Sequence, residues 1–330
     1  MTLAATLQRI APTREGEVLS RHTTIGIGGP ADVYAMPETT AQLAEVLRLS
    51  HDAGAPVFML GSGSNIVIGD LGMRGVTIES KAQALTEPQA FRSINDVSLA
   101  VGFNPQSPLA PQPSSAERFL FRADGGCSFA AVSRQLSFAG FKGLEWACGI
   151  PGTIGGAVVY NAGAYGGCLG DVLLRVGVWS AEEREHVYEA AELGLVYRAS
   201  DFTRGLMTGK AVLWAEFALW PGDAAELRAR IADYDGRRLK AQPRGRNAGS
   251  FFKNPPDQPA WKLIDGVGMR GYQIGGAQFS EKHCNFLINA GGATAADVAA
   301  LKAEAQRRVR EQFGVELENE VTLVGEGFGN

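Results

Sequence analysis

An α+β fold in about two domains is the architecture this sequence predicts, and three observations carry the prediction. The chain has 330 residues, about two typical domains' worth, and its 45% hydrophobic and 20% charged content is that of a globular protein with enough apolar mass for sizeable cores. Short apolar runs of strand length stand beside longer segments of helical periodicity. Glycine is abundant, 42 residues or nearly double the average of about 7%, and it gathers in discrete clusters between the apolar runs rather than in repeats.

Taken in chain order, residues 1–20 read as an N-terminal segment, without the continuous apolar run of a signal peptide. VFML at 57–60 reads as a buried strand. The turn LGSGSNIVI from Leu60 runs into a second apolar stretch, IVIGD, and so joins two β-segments rather than a strand to a helix. Further strands are expected at 75–79, 97–101, 172–179 and 211–219. Apolar residues fall on one face at 129–139, at 225–240 and at 295–312, where Val298, Leu301, Ala305 and Val309 keep helical spacing and Gly314 is the stop. VELENEVTLVG, at 315–325, alternates like a strand pair or one long strand. The polar run from Lys81 and the Pro/Ser/Gln-rich NPQSPLAPQPSS at 104–115 form an insertion over about 81–115. With a boundary at Pro221-Gly222, the expected domains are 21–221, interrupted by that insertion, and 222–330.

Composition excludes several classes of function. A net charge of −4 with no Lys/Arg stripe argues against nucleic acid, whose phosphates demand a basic footprint. No apolar stretch has the length of a membrane span. Cys127, Cys148, Cys168 and Cys284 lack CxxC spacing, so no metal site is expected and the cysteines read as small buried hydrophobes of a reduced, cytoplasmic protein. There is neither a GxxxxGK[ST] loop nor a well-placed GxGxxG, and no GxSxG elbow surrounds Ser250, which argues against a serine hydrolase.

The densest glycine cluster is GIPGTIGGAVVYNAGAYGG, residues 149–167, without a single charge. With GIGGPAD from Gly26 and LGSGSN from Leu60, it makes three turns of bare backbone. Two readings fit. Glycine frees successive N–H groups to converge on an anion, so three such turns could hold a bis-phosphate cofactor while Ile150, Ile154 and Val158 press on its flat rings. Alternatively, the glycines serve tight turns and close packing of one segment on another.

IGGPAD, LGSGSNIVI, GLEWACGIPGTIGGAVVYNAGAYG, YRASDF, NAGSFFKNP and ENEVTLVG occur in that order. Together they closely resemble the UDP-N-acetylenolpyruvoylglucosamine reductases (MurB), flavoenzymes of peptidoglycan precursor synthesis. The resemblance runs from about Thr23 to Gly325 and skips 81–115. It implies an α+β chain with a two-part FAD-binding domain of the vanillyl-alcohol-oxidase (PCMH) type, followed by a smaller α+β substrate-binding domain. It also implies non-covalent FAD, NADPH as co-substrate and a UDP-sugar as substrate. Oxidases of the same superfamily often link flavin to a histidine beside the first glycine turn; here Pro30 follows Gly28-Gly29 and the nearest histidine is His22. The only tyrosine between Arg198 and Tyr272 is Tyr234, in a helical pattern, so the chain resembles the short form of the family, without an extra tyrosine-bearing loop.

The implied chemistry passes hydride from reduced flavin to C3 of the enolpyruvyl group and a proton to C2. It requires a positioned acid and stabilisation of the enolate. By resemblance Ser250 is the proton donor, while Arg198 and Glu320 stabilise the enolate. Arg198 offers a planar, permanently charged fork that suits the substrate carboxylate. At residue 319, where proline often stands in this family, the chain has Asn319. The expected cofactor contacts are Gly28, Gly29, Pro30, Leu60, Gly61, Ser62, Gly63, Ser64, Asn65, Gly149, Ile150, Pro151, Gly152, Thr153, Gly155, Gly156 and Ala157. The expected UDP-sugar contacts are Tyr197, Lys253, Asn254 and His283. The run Lys240, Arg244, Arg246 either attracts the diphosphate or is a solvated loop.

Overall fold

A computed structural model describes residues 1–91 and 117–329. The chain forms two compact units, each assembled from separate stretches: unit 1 from Met1–Pro12, Ala35–Gly61 and Ile78–Arg238, unit 2 from Thr13–Tyr34, Ser62–Thr77 and Leu239–Asn330. This differs from the contiguous division 21–221 and 222–330 expected from composition. The reason is a pairing between segments far apart in sequence: the short strand Ile66–Ile68 lies parallel to Thr322–Val324, so its surroundings follow the C-terminal part of the chain. A Pro-Gly step carries no trace of such a partnership.

Unit 1 is built on an antiparallel sheet in the order His186–Glu189, Leu173–Trp179, Ala211–Pro221, Arg118–Asp124, Gln89–Phe91. Its central strand is buried from Ala211 to Trp220, as a near-continuous apolar run requires. The helix Phe129–Phe138 begins where the Ser128 hydroxyl accepts the Ala131 N–H at 3.4 Å, and it sends Phe129, Val132 and Leu136 into the core. Residues 81–91 are not a simple excursion. Leu85 bridges to Ala123, and Gln89–Phe91 extends the sheet edge. The strand expected at 97–101 and the loop at 104–115 lie outside the described residues.

Unit 2 contains a four-stranded antiparallel sheet in the order Asn247–Ser250, Phe286–Asn289, Ala277–Phe279, Gln273–Ile274. The helix Ala295–Phe313 contributes Val298, Leu301, Ala305 and Val309 to the same core and ends at Gly314, φ +68°, as its spacing predicted. Two devices cap its start. Thr294 and Asp297 form a capping box, and the Asp70 carboxylate accepts the N–H groups of Ala295 and Ala296 at 2.9 and 3.2 Å. The alternating stretch 315–325 is neither a strand pair nor one long strand: only Thr322–Val324 is strand. Before it, Asn319 makes a lone bridge to Phe252, so local contacts there replace a continuous ladder.

Asp70→Ala removes one of the two caps and should lower the unfolding free energy by about 1 kcal/mol. Urea denaturation checks this as a lower midpoint at unchanged slope.

Candidate functional site

Ser250 ends a strand whose pairing slips just before it. Asn247 faces Ile288 and Ser250 faces Phe286, so three steps on one strand oppose two on the other, which is a β-bulge. Gly249 takes φ +85° inside the bulge, and the Asn247 side chain accepts its N–H at 3.0 Å. A bulge re-aims the side chain that follows it. The Ser250 hydroxyl is half-buried and has no hydrogen-bond partner among the described residues.

Downstream, Phe251 and Phe252 are fully buried and anchor the segment in the core of unit 2. The Phe251 carbonyl accepts the N–H of Glu320 at 2.9 Å and of Val321 at 3.3 Å. Ser250 and Glu320 are thus one residue and one backbone hydrogen bond apart. Glu320 stands ahead of the strand expected to carry it, and Val321 is the residue that enters the core. Glu318 faces solvent: its carboxylate lies 3.4 Å from the Lys253 ammonium, and its carbonyl accepts the Lys253 N–H at 2.9 Å. Lys253, near Ser250 in sequence, is therefore engaged with Glu318.

Arg198 lies in unit 1, at the second position of a two-residue turn closed by backbone bonds between Val196 and Ala199. Its φ of +55° is the left-handed region, rarely occupied by a non-glycine residue and frequent at functional sites. Its guanidinium carbon lies 5.8 Å from the ring centre of exposed Tyr197.

The three glycine turns divide the two readings between them. Gly28 and Gly29 serve packing: a Cβ on Gly29 would lie 2.2 Å from the Asp70 carbonyl, and Pro30 is exposed beside them. In the turn after Leu60, a Cβ on Gly61 would lie 3.2 Å from the Thr153 hydroxyl. Gly63 has φ +63°, and a Cβ there would strike the His22 carbonyl at 2.0 Å. Around it the N–H groups of Ser62, Gly63 and Asn65 donate to no acceptor among the described residues, while the Ser62 hydroxyl reaches that of Ser64 at 3.0 Å. Bare N–H groups beside small hydroxyl side chains are the donor set of an anion nest.

Asn65 has a second task. Its side-chain N–H donates to the Glu320 carbonyl at 3.0 Å, and its own carbonyl accepts the Thr322 N–H at 3.0 Å. His22 is held between Glu17, 3.0 Å from Nε2, and the buried Tyr34 hydroxyl, 2.9 Å from Nδ1.

In residues 149–157 most amides are already used. Those of Ile150, Ile154, Gly155 and Ala157 donate to backbone carbonyls, and that of Gly156 donates to the Thr153 hydroxyl. Gly149, Gly152 and Thr153 keep N–H groups that donate to nothing among the described residues, with exposed Pro151 between them. The expectation that Ile154 and Val158 press on a ligand's rings is corrected: both are fully buried in the core of unit 1, and Ile150 packs against it. A helix start that must seat on the sheet consumes both its apolar side chains and its amides.

The feature not anticipated here is Arg238. A Cβ on Gly149 would lie 3.0 Å from its Cδ and 3.3 Å from Nη1, so the guanidinium lies close over this turn. Arg238 forms no hydrogen bond or ion pair among the described residues, and burial lowers its pKa. Its neighbour Arg134 takes the Asp235 carboxylate, at 2.7 and 2.9 Å. A desolvated cation over bare amides fits an anionic group. By this test the residues present suit the phosphates of a dinucleotide.

The substrate candidates have mixed occupations. Asn254 caps the helix Ala260–Gly266, accepting the Ala260 N–H at 3.1 Å. Half-buried His283 accepts the Asn285 N–H on Nδ1 at 3.2 Å, and burial lowers its pKa, so a neutral ring carries its proton on Nε2 and offers an uncharged donor. In the basic run, Arg246 lies along the Gly26 turn. No group of three or more His, Cys, Asp or Glu among the described residues could hold a metal, and no described helix is long and apolar enough to cross a membrane.

Comparisons with known proteins bear on the whole chain. Residues 112–187 match an FAD binding domain, and residues 241–324 match the C-terminal domain of UDP-N-acetylenolpyruvoylglucosamine reductase. The reductase of that name from Agathobacter rectalis is 39% identical over 313 residues, covering 94% of both chains. That from Carboxydothermus hydrogenoformans is 40% identical over 319 residues, covering 96% of this chain and 95% of the relative. The crystal structure of MurB from Thermus caldophilus superposes with a TM-score of 0.71 at 32% identity, covering 95% of this chain and 98% of that one. The similarity extends across both units, and the chain belongs to the UDP-N-acetylenolpyruvoylglucosamine reductase (MurB) family.

Proposed function

We infer that this chain reduces UDP-N-acetylenolpyruvoylglucosamine to UDP-N-acetylmuramate with NADPH, in peptidoglycan precursor synthesis and in the cytoplasm, using non-covalently bound FAD. The observation that carries the reading is end-to-end likeness to reductases of that name. The backbone link between Ser250 and Glu320 supports it at the level of the site. When bound and reduced, FAD supplies the hydride that C3 of the enolpyruvyl group takes up.

The remaining roles belong to the protein. The Ser250 hydroxyl, without an internal partner, is available to give its proton to C2 of the substrate. A serine alkoxide is far too basic to form unaided near neutral pH, so charge developing at Oγ must meet donors supplied with the substrate or by the chain. The fork of Arg198 holds the substrate carboxylate and polarises the enol, and Glu320 assists from the segment hydrogen-bonded to Phe251. The open amides of Ser62, Gly63 and Asn65, and Arg238 over Gly149, are candidates for the phosphates of FAD. Tyr197, Lys253, Asn254 and His283 are the candidate contacts to the UDP-sugar; the Asn254 side-chain oxygen accepts the Ala260 N–H, so its side-chain N–H groups are the donors it offers.

In stopped-flow half-reactions, Ser250→Ala should leave reduction by NADPH nearly intact and slow reoxidation by the enolpyruvyl substrate by about two orders of magnitude or more. Unchanged reoxidation would remove Ser250 from the mechanism. Arg238→Gln should weaken FAD binding by about tenfold, seen as a raised Kd in flavin-fluorescence titrations of apoprotein.

A further inference from the structure

Ser250 reaches its position through a bulge, and a bulge is defined only if the chain is pinned on both sides of it. Upstream, Asn247 pairs with Ile288 and its side chain holds Gly249. Downstream of the Ser250–Phe286 pair the strand has left the ladder, so Phe251 and Phe252 need other partners.

One residue supplies them. The Asn285 main-chain carbonyl accepts the Phe251 N–H at 2.7 Å. Its side-chain oxygen accepts the Phe252 N–H at 3.0 Å, and its side-chain nitrogen donates to the Phe252 carbonyl at 2.8 Å. The carboxamide thereby imitates one residue of a neighbouring strand, satisfying both backbone groups of Phe252. Its orientation is unambiguous, because a flipped amide would set donor against donor and acceptor against acceptor. Asn285 is itself 3% exposed, so water cannot easily replace these bonds. From the other side the same short segment receives Glu320 and Val321 on the Phe251 carbonyl.

We propose that Asn285 is a positioning residue for the protonation step: its carboxamide pins the downstream side of the bulge and so holds Ser250 in register with Glu320. This rests on reading Ser250 as the proton donor. Displacement of that hydroxyl by even a fraction of an ångström lengthens the proton's path to C2, whereas reduction of the flavin by NADPH does not use it.

Asn285→Asp tests the idea in the holoenzyme with little change of shape. The new carboxylate still accepts the Phe252 N–H but repels the Phe252 carbonyl, and protonation restores a donor. Burial and that carbonyl raise its pKa. Reoxidation by the enolpyruvyl substrate, as a ratio to wild type at the same pH, should fall at least about tenfold near pH 8.5 and recover toward about pH 6, with reduction by NADPH unchanged throughout. The titratable groups around Asn285 (His283 on its N–H, Lys253 and Glu318 on the facing segment, Glu320 on the Phe251 carbonyl, and Cys284 with Asp265) are common to both proteins. Asn285→Ser reaches neither Phe252 group and creates no charge; it should slow the same half-reaction at every pH, and it decides the matter if Asn285→Asp does not fold. Wild-type reoxidation in both variants, or equal loss in both half-reactions without recovery in acid, overturns the proposal. Ser250→Ala run alongside separates the two ideas. If it reoxidises normally, the proton-donor reading fails; if it is slow while Asn285→Asp and Asn285→Ser are not, only the positioning role fails.

Discussion

The carbonyl of Phe251, accepting the Glu320 N–H at 2.9 Å, is the contact on which the arrangement of unit 2 turns. One peptide group joins a sheet strand, where Ser250 sits, to the C-terminal segment carrying Glu320. Buried Phe251 and Phe252 make the join stiff, since a backbone bond flanked by two core aromatics is shielded from competing water. The same C-terminal segment continues into Thr322–Val324, parallel to Ile66–Ile68, and Asn65 holds the Glu320 carbonyl at the start of that pairing. A serine, a glutamate and a glycine–serine turn, widely separated in sequence, are in this way tied to one another through main-chain groups and the short side chain of Asn65.

Rigidity of this kind suits protonation at carbon. The proton donor must sit at the correct face of an atom that offers no lone pair to search for it, so the cost of misplacement is high. The segment around Ser250 is held by a bulge, a left-handed glycine and two asparagines, Asn247 and Asn285, that bond to backbone where the ladder cannot, which suits the proton-donor role proposed for it. Arg198 is held by comparable means in unit 1, in a two-residue turn with positive φ. Strained or irregular backbone therefore underlies two of the residues assigned to the chemistry, while the regular strands and helices provide the packed supports.

The glycine clusters, alike in sequence, do different jobs. Gly28-Gly29 lets one segment lie directly on another, the turn at 61–65 leaves amides open, and residues 149–157 spend most amides on seating a short helix. Arg238, from the helix Ala224–Ala241, lies over that last turn and forms no hydrogen bond or ion pair among the described residues. The cysteines follow the reading made of them more simply: Cys127, Cys148 and Cys284 are buried, Cys168 partly so, and all four are free thiols.

Local chemistry in the sequence determined the α+β class, the helices Phe129–Phe138, Ala224–Ala241 and Ala295–Phe313 but not Thr40–Asp52, the strands flanking the glycine–serine turn, and, through NAGSFFKNP, YRASDF and ENEVTLVG, the family. These are properties of short windows, where periodicity, caps and motif order act between near neighbours. Only the tertiary structure decided that the two units interleave along the chain, that Ile154 and Val158 belong to a core, that Glu320 precedes its strand, that Asn285 bonds both backbone groups of Phe252 and that Arg238 lies over Gly149. Each of these depends on a partner distant in sequence, and no window of residues records which distant carbonyl or core its side chains and amides will meet.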